Sequence, residues 1–163
     1  MNHTQNIFNN PVFFDGYRKL RENPDNANLL EEKPALFSLA PDLTGKAVLD
    51  LGCGYGENCV EFRDLGATKV TGIDISEKML KVARAETSGI EYICADMNDL
   101  SGISGIYDVV FSSLAVHYIV DFMRQRVNLI NMADMKYYIR YRWNSIVCFG
   151  KPAVLRTCPG HTS

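Results

Sequence analysis

Long apolar runs are absent from this sequence of 163 residues. No stretch approaches the ~20 consecutive apolar residues that a membrane-spanning helix requires. The N-terminal residues MNHTQN also contain no basic segment that leads into an apolar run, as a secretory leader would. We therefore expect a cytoplasmic protein that has no membrane partner.

The sequence also lacks closely paired cysteines. Its five cysteines are odd in number, and none of them forms a Cys-x-x-Cys pair. This pattern predicts neither a disulfide framework nor a zinc site. We expect reduced thiols and no bound metal.

A compact run of basic residues is missing as well. Residues 1–122 carry 10 basic and 18 acidic side chains, whereas residues 123–163 carry 7 and 1, so the charge changes sign near residue 122. The basic residues of the second segment are spread along it rather than clustered. We therefore expect no nucleic-acid partner.

The most informative segment is residues 48–57, VLDLGCGYGE, in which a short apolar strand leads into a glycine-rich turn. Glycines at positions 52, 54 and 56 remove the side chains that would keep a ligand from the backbone, and they permit positive φ angles. Asp50 stands near the end of the strand, where an open α/β sheet binds its ligands. The segment predicts a nucleotide-binding loop.

Strands and helices alternate around this loop. The hydrophobic share of 47% and the length suit one globular domain. Apolar runs that predict strands cover residues 46–51, 69–74, 90–94 and 106–112. Helical spacing separates the first three strands, which is typical of βαβ units. The predicted fold is a doubly wound, mostly parallel α/β sheet.

Three aspartates end successive strands of this predicted sheet: Asp50, Asp74 and Asp96. We expect their side chains to line one edge. An acid about 20 residues beyond a glycine loop accepts hydrogen bonds from ribose hydroxyls, which assigns that role to Asp74. Asp96 can accept from an exocyclic amine while the thioether of Met97 packs on a purine. Each acid alone is also explained as a helix cap or a solvated turn.

The spacing of the glycines discriminates between nucleotide cofactors. A dinucleotide fingerprint is Gly-x-Gly-x-x-Gly, whereas here the third glycine arrives one residue early, at position 56. No Gly-Lys-Ser or Gly-Lys-Thr follows, which excludes a P-loop. Pyrophosphate binding is therefore disfavoured.

These segments, together with YDVVFSSLAVHY at residues 107–118, resemble class I S-adenosylmethionine-dependent methyltransferases of the small-molecule branch. The similarity covers residues from about 46 to 122. It implies a Rossmann-like methyltransferase fold, S-adenosylmethionine as cofactor, S-adenosylhomocysteine as product and a small-molecule substrate. The domain over residues 1–163 then divides into an N-terminal helical cap or lid (1–45), a cofactor-binding core (46–122) and an atypical tail (123–163).

The resemblance also implies roles for individual residues. The glycines admit the methionine part of the cofactor, Asp74 holds the ribose, Asp96 with Met97 holds the adenine, and Ile75 packs against the ring. Tyr17 is placed like the lid residues of the family, although a core aromatic explains it equally well. The full set predicted to bind the cofactor is Tyr17, Asp50, Gly52, Cys53, Gly54, Gly56, Asp74, Ile75, Met79, Asp96, Met97 and Ser112.

Methyl transfer from a sulfonium mainly requires orientation and proximity, so no invariant catalytic residue is needed. If the acceptor must lose a proton, a base beside the transfer site helps. His117, just beyond the fourth predicted strand, is the candidate catalytic residue. A packed or surface histidine is the alternative interpretation.

The tail departs from the family pattern. The resemblance implies a turn like Pro-Gly-Gly, a fifth strand and a closing antiparallel hairpin after residue 122. Instead, residues 121–135 predict a helix and residues 144–149 one further strand. The residues after Gly150 are too few for two more long strands. We therefore expect a truncated sheet that lacks its closing strands and whose open edge favours self-association.

Three functions remain open. The leading one is S-adenosylmethionine-dependent methyl transfer to a small-molecule acceptor by in-line displacement. The second is a methyltransferase fragment that binds the cofactor but is catalytically disabled, because the missing strands normally build the substrate wall. The third, a nicotinamide-dependent oxidoreductase, is disfavoured by the early third glycine and the absence of a Tyr-x-x-x-Lys pair.

Overall fold

The structure is a computed structural model that describes residues 10–23, 33–121, 137–141 and 145–149. The helices in these ranges are α1 (Pro11–Glu22), α2 (Lys33–Ser38), α3 (Glu57–Asp64) and α4 (Glu77–Glu86). The strands are β1 (Ala47–Leu51), β2 (Lys69–Asp74), β3 (Glu91–Cys94), β4 (Val109–Ser112), β5 (Tyr137–Tyr141) and β6 (Ser145–Phe149). A 3₁₀ turn follows β4 at Val116–Tyr118. None of the helices in the described ranges is long and apolar enough to span a membrane.

The strands form one sheet in the order β3-β2-β1-β4-β6-β5. β1 pairs in parallel with β2 and with β4, and β2 pairs in parallel with β3. In this register Val48 lies opposite Val70 on one side and Val109 on the other. The predicted doubly wound, mostly parallel α/β fold is confirmed. The strand order reverses between β1 and β4, and sheets of this kind bind ligands at the carboxyl ends of the strands beside such a switch point.

Beyond β4 the sheet continues with an antiparallel pair of strands. β6 runs antiparallel to β4, and β5 runs antiparallel to β6. The predicted strand over residues 144–149 is confirmed as β6, whereas the sequence pattern does not predict β5. These two five-residue strands stand where the family resemblance implies a fifth parallel strand and a longer closing hairpin. The predicted helix over residues 121–135 lies outside the described residues except for Asp121, and self-association through an edge stays a prediction.

One apolar cluster packs α2, α3 and α4 against the sheet. Alternate residues of a strand point to opposite faces, so Val48 of β1 belongs to this cluster while its neighbours do not. Phe62 of α3 stacks on Phe111 of β4 with ring centroids 4.4 Å apart, and Phe37 of α2 stacks on Phe62 at 5.2 Å. Each fully buried aromatic or aliphatic side chain stabilises the fold by roughly 1.5–3 kcal/mol. The stack fixes α3, and with it the loop that precedes α3.

A second apolar cluster covers the other face of the sheet. Leu49, Leu51 and Ile73 supply the sheet side of this cluster. The segment between β3 and β4 covers them with Leu100 and Tyr107, both almost fully buried. Because both faces are covered, the central strands are buried and hold their carboxyl ends in fixed positions.

Candidate functional site

A cleft opens at the carboxyl ends of the four parallel strands. It contains about 640 Å³ of empty space, including its open mouth. Its walls come from the segment that follows each parallel strand. The lining residues are Gly52, Gly54, Asp74, Ile75, Met79, Asp96, Met97, Asn98, Ser113, Leu114, Ala115 and Tyr118. The cleft thus lies at the switch point where the topology predicts a ligand.

The glycine loop is fixed to the end of β2 by backbone hydrogen bonds. The N–H groups of Gly52 and Cys53 both donate to the carbonyl of Ile73, at 2.8 and 2.9 Å. The N–H of Gly56 donates to the carbonyl of Cys53 at 2.9 Å. Gly52, Gly54 and Gly56 have φ angles of 75°, 55° and 79°, in the left-handed region that other residues rarely adopt. The loop therefore forms a defined, hydrogen-bonded turn against the end of β2.

The three glycines differ in what surrounds them. A Cβ on Gly52 would collide with the Cβ of Ala115, and a Cβ on Gly56 would collide with the hydroxyl of Tyr92. A Cβ on Gly54 would meet no atom of the described residues within 4 Å, although Gly54 lines the cleft. Gly52 and Gly56 are thus required for packing, whereas Gly54 presents bare backbone to the cleft. Gly56 is predicted to admit the cofactor but does not line the cleft.

The carboxylate of Asp74 bridges the glycine loop and the start of α4. Its Oδ2 accepts a hydrogen bond from the N–H of Gly54 at 2.9 Å, and its Oδ1 accepts from the N–H of Ser76 at 2.8 Å. Burial raises the pKa of Asp74, while hydrogen bonds from the backbone of Ser76, Gly54 and Ile75 oppose that rise. A carboxylate has about four acceptor positions. Asp74 therefore keeps acceptor capacity for a hydroxyl donor in the cleft beside its backbone partners.

Asp96 is oriented by the residue two positions further along the chain. Its Oδ1 accepts hydrogen bonds from the backbone N–H of Asn98 at 2.8 Å and from the Nδ2 of Asn98 at 2.9 Å. Met97, which lies between Asp96 and Asn98 in the sequence, also lines the cleft. Its Cε lies 3.2 Å from where a Cβ on Gly52 would stand. An acceptor and a thioether thus lie side by side, as recognition of a purine edge and face requires.

The expectation that all three strand-end aspartates line one edge is wrong for Asp50. Its side chain is 1% exposed. It lies two residues after Val48 in β1, so both side chains face the side of the sheet that carries α3. Its Oδ2 accepts from the thiol of Cys59 at 3.5 Å, whereas its Oδ1 has no hydrogen-bond partner in the part of the chain that the structure describes. Burial raises the pKa of Asp50 to about 7, the Cys59 thiol opposes this shift, and the charge of Asp74 adds to it.

Two further predicted cofactor residues lie beneath the loop rather than in the cleft. Cys53 is buried, and its Sγ lies 2.8 Å from where a Cβ on Gly72 would stand. Ser112 is buried and donates from its Oγ to the carbonyl of Leu51 at 2.9 Å, which ties the end of β4 to the end of β1. Both residues support the loop, and their direct contact with a cofactor stays a prediction.

The proposed base, His117, lies outside the cleft. Its side chain is exposed, and its ring packs against the ring of Tyr118 with centroids 4.0 Å apart. Tyr118, its neighbour, lines the cleft instead. Burial raises the pKa of the Tyr118 hydroxyl, and the charge of Asp74 adds to that rise. The catalytic role of His117 stays a prediction.

The N-terminal helix lies against the glycine loop. Phe14 of α1 makes an edge-to-face contact with the ring of Tyr55, with centroids 5.8 Å apart. Tyr17 is part of the same helix, but its side chain lies outside the described residues. The contact brings the predicted cap next to the loop, and the division of the chain into cap, core and tail stays a prediction.

Five cleft residues are absent from the sequence-based prediction: Asn98, Ser113, Leu114, Ala115 and Tyr118. Four of them follow β4, inside the segment that carries the family resemblance, so their place after a strand end is a signal that could have identified them. Leu114 has a φ of 53°, which is strained for a non-glycine residue and is typical of functional sites. Across the described residues, no group of three or more His, Cys, Asp and Glu side chains is arranged to hold a metal ion.

Comparisons with known proteins agree with this geometry. Residues 48–133 match the family described as methyltransferase domain. An S-adenosylmethionine dependent methyltransferase from Mesorhizobium loti has a similar structure, with a TM-score of 0.58 and 37% identity over 70% of this chain and 50% of that one. An uncharacterized protein of Haemophilus influenzae is 37% identical over 137 residues, which is 75% of this chain and 51% of the relative. The malonyl-[acyl-carrier protein] O-methyltransferase of Buchnera aphidicola is 31% identical over 106 residues, 64% of this chain and 42% of that enzyme.

The parallel sheet, the glycine loop and the acids at the ends of β2 and β3 define the class I fold of S-adenosylmethionine-dependent methyltransferases. The family match covers more than half of the 163 residues. The chain belongs to the methyltransferase domain family. It spans about half the length, or less, of these relatives.

Proposed function

We propose that this chain binds S-adenosylmethionine in the cleft and transfers its methyl group to a small-molecule acceptor. The observation that carries the proposal is the convergence, on one cleft, of the bare backbone of Gly54 and the carboxylates of Asp74 and Asp96. These three groups follow the ends of β1, β2 and β3. Their order across the cleft suits the methionine, ribose and adenine parts of the cofactor, respectively.

The residues present fit this cofactor. The space above Gly54 would be filled by a Cβ of any other residue, so the loop forms a cradle for a ligand. Asp74 keeps acceptor capacity for a hydroxyl in the cleft, and a ribose provides such donors. Ile75, Met79 and Met97 supply apolar surface on the same side of the cleft. A ligand with a polar sugar between two distinct ends suits this arrangement.

When bound, S-adenosylmethionine supplies a methyl group on a sulfonium, which is an activated leaving group. The protein residues then mainly bind and orient. Asp74 and the backbone of Gly54 fix the cofactor at its centre, and Leu114 with Tyr118 closes the opposite wall. Orientation of this kind lowers the barrier by holding the reacting atoms in line and by excluding water.

The acceptor is the open part of the proposal. A small molecule is favoured because the sequence carries no compact basic patch for a nucleic acid. His117 remains the candidate base for an acceptor that must lose a proton, and its exposed ring lies one residue from the cleft wall. The name of the Buchnera relative supports a second acceptor class, an acyl group carried by a protein.

The alternative function is cofactor binding without catalysis. It is supported by the sheet after β4, where two five-residue strands, β5 and β6, stand in place of the longer closing hairpin that the family resemblance implies. The two functions share the cofactor cleft and differ only in whether methyl transfer follows binding.

Labelled methyl transfer distinguishes these functions. The chain is incubated with tritiated-methyl S-adenosylmethionine and a bacterial extract separated by ultrafiltration into small molecules and macromolecules. We expect label in the small-molecule fraction, and at least about 10-fold less with a folded Asp74→Asn variant, because a charged hydrogen-bond acceptor is lost.

The remaining outcomes are equally informative. Label in macromolecules that base releases as volatile methanol would point to a carrier-bound acyl acceptor instead. Base-stable label in macromolecules would contradict both acceptor classes. A chain that binds S-adenosylhomocysteine but transfers no label would establish the disabled fragment.

A further inference from the structure

The side chain of Asn98 connects two walls of the cleft. Its Nδ2 donates to the Oδ1 of Asp96 at 2.9 Å and to the carbonyl of Tyr118 at 3.2 Å. Its Oδ1 accepts from the N–H of Val120 at 2.8 Å. The amide therefore uses both its donor and its acceptor atoms to join the end of β3 to the segment after β4.

The wall that Asn98 holds is also in contact with the glycine loop. The 3₁₀ turn at 116–118 follows Ala115, whose Cβ packs directly over Gly52. The N–H of Tyr118 donates to the carbonyl of Ala115 at 3.0 Å, so the turn and the loop contact form one unit. Asn98 holds the other end of the turn through its hydrogen bonds with the carbonyl of Tyr118 and the N–H of Val120. The position of Tyr118 in the cleft thus depends on Ala115 at one end and on Asn98 at the other.

We propose that Asn98 is a positioning residue for recognition of the 6-amino group of the cofactor's adenine. It occupies Oδ1 of Asp96 with two hydrogen bonds and so directs the remaining oxygen, Oδ2, toward the amine. The same side chain holds the Tyr118 wall at a fixed distance from Asp96. This inference rests on the proposed cofactor and goes beyond it, because it names the residue on which adenine selectivity depends.

An asparagine is needed here because the position requires donors and an acceptor in one planar group. A carboxylate at the same place accepts but does not donate. In an Asn98→Asp variant, two carboxylates would lie at hydrogen-bond distance, and such pairs hold one proton between them with a raised pKa. When that proton is present, the introduced carboxyl can donate to Asp96 again. The variant should therefore regain selectivity as the pH falls.

Other charged and titratable groups lie on the elements around Asn98. They are Asp96 and Asp99 after β3, Asp74 at the end of β2, and His117, the Tyr118 hydroxyl and Asp121 after β4. The three carboxylates outside the pair, Asp74, Asp99 and Asp121, favour retention of the proton that Asp96 would share, since like charges disfavour ionisation. Because Asp50 and Asp74 also have raised pKa values, the parent chain must be measured at every pH as the control.

The test compares two ligands by calorimetric titration between pH 5.5 and pH 8. S-adenosylhomocysteine carries the 6-amino group, and S-inosylhomocysteine carries a carbonyl in its place. We expect the parent to prefer the amino ligand at least about 10-fold at every pH. For Asn98→Asp we expect this preference to disappear at pH 8 and to return toward pH 5.5, with the affinity for the inosine ligand changed less than about threefold.

The outcomes separate the inference from the proposed function. A parent that binds neither ligand contradicts the cofactor proposal itself. A parent that discriminates, together with a variant that discriminates equally at pH 8, overturns the role of Asn98 alone. Equal loss of both ligands without recovery at low pH also overturns it, because that result indicates general disruption of the cleft.

A measurement on the parent keeps the inference testable if the variant does not fold. The side-chain amide protons of Asn98 should exchange with solvent at least about 10-fold more slowly than those of exposed asparagines in nuclear magnetic resonance spectra. Exchange as fast as at the surface would contradict the bridging role. An Asn98→Ala variant, which removes donors and acceptor without adding charge, should lose selectivity with no pH-dependent recovery.

Discussion

Replacing Asp50 with asparagine is expected to stabilise the fold at pH 8 and to leave its stability nearly unchanged at pH 4. The carboxyl is 1% exposed, its Oδ1 is unpartnered in the described part of the chain, and burial raises its pKa to about 7. The folded protein therefore retains a proton that the unfolded chain releases near pH 4. The contribution of this carboxyl to stability must then fall as the pH rises from about 4 to about 7, and it should be constant above that.

The size of this effect follows from the pKa difference. A rise from 3.8 to about 7, at 1.36 kcal/mol per unit, corresponds to a loss of up to roughly 4 kcal/mol in the free energy of unfolding. An amide of the same shape carries no charge and avoids most of this cost. The free energy of unfolding is measured by urea denaturation at pH 4, 6 and 8 for the parent and the Asp50→Asn variant.

A matched control is Asp64→Asn on the exposed side of α3. Its side chain is 62% exposed and pairs with Arg63 at the surface, so its removal should change stability by less than about 1 kcal/mol at every pH. The account of Asp50 would be wrong if the variant were less stable than the parent at pH 8. A carboxylate that lowers stability directly beneath a ligand loop is the arrangement expected at a functional site.

An alanine at position 54 is expected to lower the affinity for S-adenosylhomocysteine by about 100-fold or more. The new Cβ would stand in the cleft beside the loop backbone, where the part of the chain that the structure describes has no atom within 4 Å. The residue would also adopt a left-handed φ of 55°, which costs ~1–2 kcal/mol of folding stability. Affinity is measured by calorimetric titration, and stability by thermal unfolding.

Gly89 provides the control for backbone strain. It has a φ of 78°, and its Cβ position also has no atom within 4 Å among the described residues. It lies between α4 and β3, at the amino end of β3 away from the cleft. Gly89→Ala should show the same loss of stability with unchanged affinity. Equal losses of affinity in the two variants would mean that strain, and not the filled cradle, disturbs binding.

Much of the sheet could be predicted because its signals are local. β2 is observed over the six residues that the pattern predicts, and its four central residues, Val70 to Ile73, are all buried. β4 begins three residues later than predicted. The predicted strand began at Ile106 because this residue is apolar, but its side chain is 79% exposed and it precedes the strand. β5 is missed because an antiparallel strand at an edge depends on its partner β6, which lies further along the chain.

The site was predictable where a residue's role depends on its place at a strand end. Asp74 and Asp96 satisfy this condition, and both line the cleft. Asp50 does not, because its side chain turns toward α3, and strand position alone does not reveal which face a residue occupies. Asn98 and Tyr118 are 20 residues apart, and the hydrogen bond that joins them exists only after β3 and β4 have been placed in the sheet. Contacts of this range leave no periodic signal in the sequence.

Calorimetric titration of this chain with S-adenosylhomocysteine tests the central claim most directly. We predict saturable one-to-one binding by the parent and a dissociation constant about 10- to 100-fold higher for Asp74→Asn, the cost of losing one charged hydrogen-bond acceptor. Thermal unfolding of both chains shows that they are folded. A folded parent that does not bind the ligand, or a folded variant that binds it as tightly as the parent, would contradict the assignment of this cleft.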